Sequence, residues 1–156
     1  MFPKLHLPPA SLRIRQNTDR QEVWCILRHR FVALTPEEWV RQHFVHFLIS
    51  ARNYPAALRG NEVTVNVGGA KRRCDTVLYN KVGGTPLAVM EYKAPHVPIT
   101  QEVFTQISSY NSVLKTAYLF VSNGMQTIVC HIHKDTGSYT FLQDVPWYET
   151  LIQIGH

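Results

Sequence analysis

Between Arg72 and Pro95, two β-prone apolar runs flank a short glycine-containing connection, Lys81-Val82-Gly83-Gly84-Thr85, and so read as a β-hairpin. Val77-Leu78-Tyr79 and Leu87-Ala88-Val89-Met90 have the continuous apolar character of strands buried on both faces. Three charges interrupt them: Asp75 in the first strand, Glu91 and Lys93 in the second. Charges in such strands are rarely left without a partner or a task. Glu91 and Lys93, two apart, point the same way. Centring the hairpin on Gly83 sets Asp75 opposite Glu91, because each is eight residues from that glycine. Cross-strand neighbours stand about 4.5–5.5 Å apart at Cβ. Two carboxylates at that distance repel unless a divalent cation or a shared proton lies between them. The pattern asks for Mg²⁺ (or Mn²⁺) with an ammonium beside it. A register slip of one residue would send one carboxylate to the other face.

The 156 residues suffice for one domain with a real core. No apolar run approaches the ~18–20 residues that span a bilayer. The opening Met-Phe-Pro-Lys-Leu-His-Leu-Pro-Pro lacks the apolar core and cleavage site of a signal peptide. Cys25, Cys74 and Cys130 are odd in number, widely spaced and without metal-pair spacing, which fits a reducing cytoplasm rather than a disulfide framework. The formal charge of +5 suits a nucleic-acid partner without demanding one.

Residues 1–10 are proline-rich and read as an extended, loosely held arm. Ser11–Arg15 and Glu22–Ala33 read as strands joined by the polar turn Gln16-Asn17-Thr18-Asp19-Arg20, their arginines (Arg13, Arg15, Arg28, Arg30) facing either phosphate or solvent. We set the arm and first strand apart as residues 1–21 and the main domain as 22–156. Thr35-Pro36-Glu37-Glu38 starts a helix, with Thr35 as cap, Pro36 at its first position and Glu38 completing a capping box. Capping is the preferred role for Glu38, a third carboxylate near the metal the other. The helix runs to about Arg52 on the stripe Val40, Phe44, Phe47 and Leu48. His43 and His46, and later His131 and His133, have no further ligand in view and read as packing or surface residues. Glu62–Val67 alternates as a half-buried strand and turns at Gly68-Gly69 into the charged hairpin. Thr100 caps a second helix with the stripe Val103, Ile107, Tyr110 and Leu114, and Gln106 on its flank could reach toward Glu91 and Lys93. Ala117–Ser122 is a central strand, parallel to its predecessor if the two pair. Asn123-Gly124 turns it into Met125–His133, before a short edge strand at Tyr139–Leu142 and a closing helix at Pro146–Ile154.

A helix, a three-strand meander carrying Asp and Glu-x-Lys, a second helix and a strand give a mixed α/β architecture. This order resembles the restriction-endonuclease-like, or PD-(D/E)XK, nucleases. More closely, it is similar to small domains related to the N-terminal nuclease region of type I restriction enzyme R subunits. The resemblance rests on Leu34-Thr-Pro-Glu-Glu-Trp-Val-Arg-Gln42, Tyr54-Pro55, Glu62, Lys71-Arg-Arg-Cys-Asp75, Glu91-Tyr-Lys-Ala-Pro95, Ile99–Gln106, Tyr110-Asn111 and Asn123-Gly124, spread over roughly residues 22–150. Cys74 stands where the motif's proline would be, and the 156 residues include no helicase motor. The resemblance implies that Asp75, Glu91 and the main-chain carbonyl of Tyr92 hold Mg²⁺, with Lys93 orienting the attacking water. It also implies a polar role for Gln106 and phosphate contacts from Lys71, Arg72 and Arg73.

The expected function is therefore a Mg²⁺-dependent DNA endonuclease in restriction or defence. Its expected partners are DNA and a helicase/translocase or other restriction subunits, possible self-association as a homodimer being left open. The alternative is a catalytically weak or inactive nucleic-acid-binding or assembly module of the same fold. A third reading is a protein-interaction domain in which the charges form a structural cluster.

Overall fold

A computed structural model of the chain describes residues 2–56, 61–80, 84–109 and 114–154; the side chains of 61–65, 67, 70, 72–74 and 154 lie outside the described set. A small antiparallel sheet comes first: β1 (Ile14–Asn17), β2 (Arg20–Cys25) and β3 (Arg30–Ala33), in that order. Helix α1 (Pro36–Ala51) follows, then the meander β4 (Asn61–Val67), β5 (Ala70–Tyr79) and β6 (Pro86–Tyr92). Helix α2 (Gln101–Ser108) leads to β7 (Tyr118–Ser122), β8 (Thr127–Ile132) and β9 (Tyr139–Leu142), and α3 (Tyr148–Ile154) closes the fold. The six strands β4 to β9 form one sheet in sequence order, antiparallel except for the β6–β7 pair. The mixed sheet flanked by helices is the expected architecture. The helix crossover makes that one pair parallel, as connection rules require.

The sheet buries two apolar faces. Met90, Tyr92, Tyr118 and Phe120 pack with Val40, Phe44 and Leu48 of α1 and Leu151 of α3. Val77, Val89, Leu119, Val121, Cys130 and Ile132 pack with Ile107 of α2. Thr100 caps α2 by accepting from the Val103 amide; Tyr110, expected on the α2 stripe, and Lys81–Gly83 of the hairpin connection lie outside the described residues.

Three local expectations are corrected. Glu22–Ala33 is two strands, broken at residues 26–29, where His29 takes a left-handed φ of 54° and the amide of Ile26 reaches Gln42 Oε1 at 3.4 Å. No Gly, Pro or Asn marks that turn, so the pattern reads as continuous. The preceding turn is also shorter than expected, because Arg15, Asn17 and Arg20 gather on the buried Glu22 carboxylate and extend the ladder.

The N-terminal arm is extended but not loose. Leu5 is buried in the α1-side core, the His6 amide donates to Gly124 O at 2.7 Å, and Pro3 O accepts from Trp39 Nε1. Gly124 makes this docking possible. Its φ is +82°, and a Cβ there would stand 2.7 Å from a Leu5 methyl. We expect Gly124→Ala to cost about 1–3 kcal/mol of stability, from backbone strain plus the steric conflict. In a Leu5→Ala background, itself costing about 2–4 kcal/mol, the Gly124→Ala penalty should shrink, because the conflicting atoms are gone. Urea denaturation of the four proteins in that cycle tests it; strictly additive penalties would mean that the arm does not dock on Gly124.

Candidate functional site

The hairpin register is Thr76 with Met90, Val77 with Val89 and Leu78 with Ala88, with a bulge only at Leu78/Tyr79. One step beyond Thr76, this register carries Asp75 to the position opposite Glu91. The Asp75 amide donates to Glu91 Oε1 at 3.2 Å, and the Tyr92 amide donates to Asp75 Oδ2 at 2.9 Å. Glu91 is 5% exposed, so its carboxylate has almost no water to spread its charge. Burial first, and the Asp75 charge next, push the Glu91 carboxyl far above its usual range, while Lys93 pulls it partly back. Lys93, expected in the strand, lies one residue past the end of β6; it is half-buried, and its amide donates to Ser122 O of β7 at 2.8 Å.

A second group of charges approaches from α1. Arg41, 5% exposed, directs Nη2 to Asp75 Oδ1 at 3.4 Å and Nη1 to Glu38 Oε1 at 3.8 Å. Arg28 Nη1 also reaches Glu38 Oε1, at 3.3 Å, and Gln42 Nε2 donates to Glu38 Oε2 at 2.7 Å. The Arg41 guanidinium lies 5.5 Å from the centre of the buried Tyr92 ring, which in turn packs against Phe44. The result is a continuous polar row from the small sheet through α1 to the hairpin: Arg28, Glu38, Arg41, Asp75, Glu91.

This row corrects the role expected of Glu38. Thr35 Oγ1 does accept from the Glu38 amide at 3.0 Å, so half of the capping box forms. The reciprocal half does not, because the Thr35 amide donates to Ala33 O. Two guanidinium groups and an amide satisfy a buried carboxylate better than one backbone N–H. Glu38 is linked to Asp75 through Arg41.

The other expected site residues are more scattered. Gln106 is exposed on α2, and its described interaction is its main-chain carbonyl accepting from Ser109. Lys71 is exposed on β5, while the side chains of Arg72 and Arg73 lie outside the described set. At backbone level, the β4 register of Asn61 with Thr76 and Val63 with Cys74 sets Glu62 across from Asp75. His43 Nδ1 bonds Trp39 O and His133 Nε2 bonds Thr140 Oγ1, and among the described residues no three or more His, Cys, Asp or Glu converge as a metal cluster. Arg41 is the residue the sequence reading passed over, although a signal was present. It stands three, four and seven residues before Phe44, Val45 and Leu48, on the buried helical stripe, where an arginine must find a carboxylate.

Among the described residues, no helix is long and apolar enough to cross a membrane. No curated protein matches the chain. A solved structure described as a fragment of an HsdR subunit of a type I restriction enzyme from Vibrio vulnificus YJ016 superposes with a TM-score of 0.50 at 22% identity. The match covers 77% of this chain and 25% of that one, so the likeness is one of fold, and this chain spans about a quarter of its length. The family described as the type I restriction enzyme R protein N terminus matches residues 36–146. That stretch holds α1, the whole meander, α2, the central strands and every charge of the Arg41–Asp75–Glu91–Lys93 cluster, and the chain belongs to this family.

Proposed function

We propose that this domain is a divalent-metal-dependent endodeoxyribonuclease of the PD-(D/E)XK class, hydrolysing phosphodiester bonds as part of a type I restriction activity. The observation that carries the reading is the convergence of Asp75, midway along β5, with Glu91 near the end of β6, and with Lys93 just past that end. Two carboxylates and the Tyr92 carbonyl form a hard, all-oxygen donor set too small to enclose an ion, which suits Mg²⁺ or Mn²⁺ keeping part of its water. An ion held there supplies polarisation of the phosphodiester and acidification of an attacking water.

The chain's own residues do the rest. Lys93 orients the attacking water and offsets the charge that gathers on the phosphoryl oxygens. Water oxygen bonds to phosphorus, one ester P–O bond breaks, and the departing alkoxide takes up a proton. Glu38 is assigned to tethering Arg41 rather than to the ion. Gln106, exposed on the helix that follows the Glu-x-Lys strand, is assigned to the substrate side. Lys71, Arg72 and Arg73 lead directly into Asp75 along β5 and are assigned to backbone phosphates, which makes binding salt-sensitive and largely blind to sequence.

Asp75→Ala and Lys93→Ala should each lower Mg²⁺-dependent plasmid nicking by about 100-fold or more, with Lys93→Ala retaining the wild-type circular dichroism spectrum. Undiminished nicking by either purified variant would remove the basis of the proposal.

The Glu91 carboxyl gives a second test that needs no substrate. Its value is raised from 4.5 to about 9 in the folded protein, so the native state holds that proton more tightly than the unfolded chain. The stability it contributes is full below 4.5 and is lost as pH climbs through about 9. In chelator, Tm should therefore decline across that window. Saturating Mg²⁺ should restore Tm at the alkaline end, and Glu91→Gln, which mimics the protonated form, should remove this component of the slope. Thermal melts showing the same slope in Glu91→Gln, with no response to Mg²⁺, would count against a metal-binding carboxylate pair.

A further inference from the structure

The Asp75 carboxylate already faces a fixed cation. Arg41 places a guanidinium nitrogen 3.4 Å from Asp75 Oδ1, and Lys93 follows Glu91 by two residues, just past the end of β6. Arg41 is not a surface side chain that can swing away. It is 5% exposed, tethered to Glu38, and packed against the Tyr92 ring, while Glu38 is itself held by Arg28 and Gln42. Two like charges a few ångströms apart in a partly dry site repel by several kcal/mol even at an effective dielectric constant of about 20. A divalent ion arriving at Asp75 meets the part of that repulsion that Glu38 does not offset when the protein is alone. A phosphodiester at the same place brings the negative charge that cancels it.

We propose that Arg41 is a built-in competing charge that makes ion loading depend on nucleic acid: the free domain binds a divalent ion weakly, and the ion and the phosphate backbone enter the site cooperatively. The inference rests on the ion site proposed above and adds to it a reason for the buried arginine. Because binding linkage is reciprocal, the ion must strengthen DNA binding by the same factor by which DNA strengthens ion binding. It also limits idle loading of a hydrolytic site when no substrate is present.

The test is Mn²⁺ titration followed by the electron paramagnetic resonance of the free ion, at fixed pH. It is made on wild type alone and with a saturating short phosphorothioate duplex, corrected for ion held by the duplex itself. Wild type should bind Mn²⁺ about tenfold or more tightly with the duplex than without it. Arg41→Gln should bind Mn²⁺ about tenfold more tightly than wild type in the absence of DNA, and the duplex should then add much less. Equal wild-type affinities with and without DNA overturn the proposal, a result that holds even if Arg41→Gln does not fold. Weaker binding by a folded Arg41→Gln also overturns it, because Arg41 would then be an organiser of Asp75 and not a competitor. Asp75→Ala separates this from failure of the ion site. If that variant binds Mn²⁺ as wild type does, the site reading has failed; if it loses the ion, the site stands and the wild-type comparison decides the coupling.

Discussion

Strand β6 is the constraint on which the rest of this structure depends. It is hydrogen-bonded on both edges, antiparallel to β5 and parallel to β7, and its residues after Pro86 are buried. Helices cover both of its faces. A strand in that position has no solvated side to which a charge can turn. Glu91, at its end, must therefore be compensated from within the protein. The parallel pairing with β7 brings the ends of both strands to the same edge of the sheet. There Asn123 continues the work of the ladder: its Nδ2 donates to Val97 O, and its Oδ1 accepts from the amides of Met125 and Gln126. The segment after Lys93 is clamped to the β7–β8 turn, and the same turn receives the N-terminal arm at Gly124. Site edge and chain terminus are thus fixed by one short loop.

The polar row across α1 answers the compensation problem in a costly way. Buried ion pairs lose much of their attraction to desolvation, and well-packed apolar residues of similar volume often serve stability as well or better. Arg41 occupies a place on the helical stripe that a leucine or methionine could fill. Stability alone gives no reason for an arginine there, whereas a charge set against Asp75 does. The same logic explains why Glu38 gives up half of a capping box. Losing one cap contact costs about 1 kcal/mol, less than leaving a buried guanidinium without its second carboxylate.

How much of this was legible in the sequence follows from the range of the interactions involved. The facing of Asp75 and Glu91 was readable because a hairpin is local: its register depends on the connection and on the alternation of side chains, and the one bulge falls on the loop side of Leu78. The Thr100 cap, the edge strand at Tyr139–Leu142 and the parallel central pair were readable for similar reasons. The break after Cys25 was not, since it is set by contacts with α1: the Ile26 amide on Gln42 and Arg28 on Glu38. Nor was the docking of the arm, because proline-rich composition reports local stiffness and says nothing about Leu5 finding a gap beside Gly124. Arg41 was readable in principle, as a charge on an apolar stripe, but its partner is 34 residues away on another element.

The basic character of the chain has to be recounted in this light. A formal charge of +5 suggests a surface ready for phosphate. Yet many of the arginines are engaged with other groups of the protein. Arg15 and Arg20 hold Glu22, Arg28 and Arg41 hold Glu38 and Asp75, and Arg52 donates to Val145 O while lying over the Phe47 and Trp147 rings. Arg13 and Arg15 also cover the aromatic face formed by Trp24 and Phe31. These cations organise the small sheet, the helix and the polar row, with Arg13, Arg15 and Arg20 doing so at the exposed surface. Under the function proposed above, the whole-chain charge counts for correspondingly less, and weight shifts to the short basic run that leads into Asp75. In a domain built this way the basic run Lys71-Arg72-Arg73 and the charge balance around Asp75 and Glu91 are set within a few residues of the same two strands.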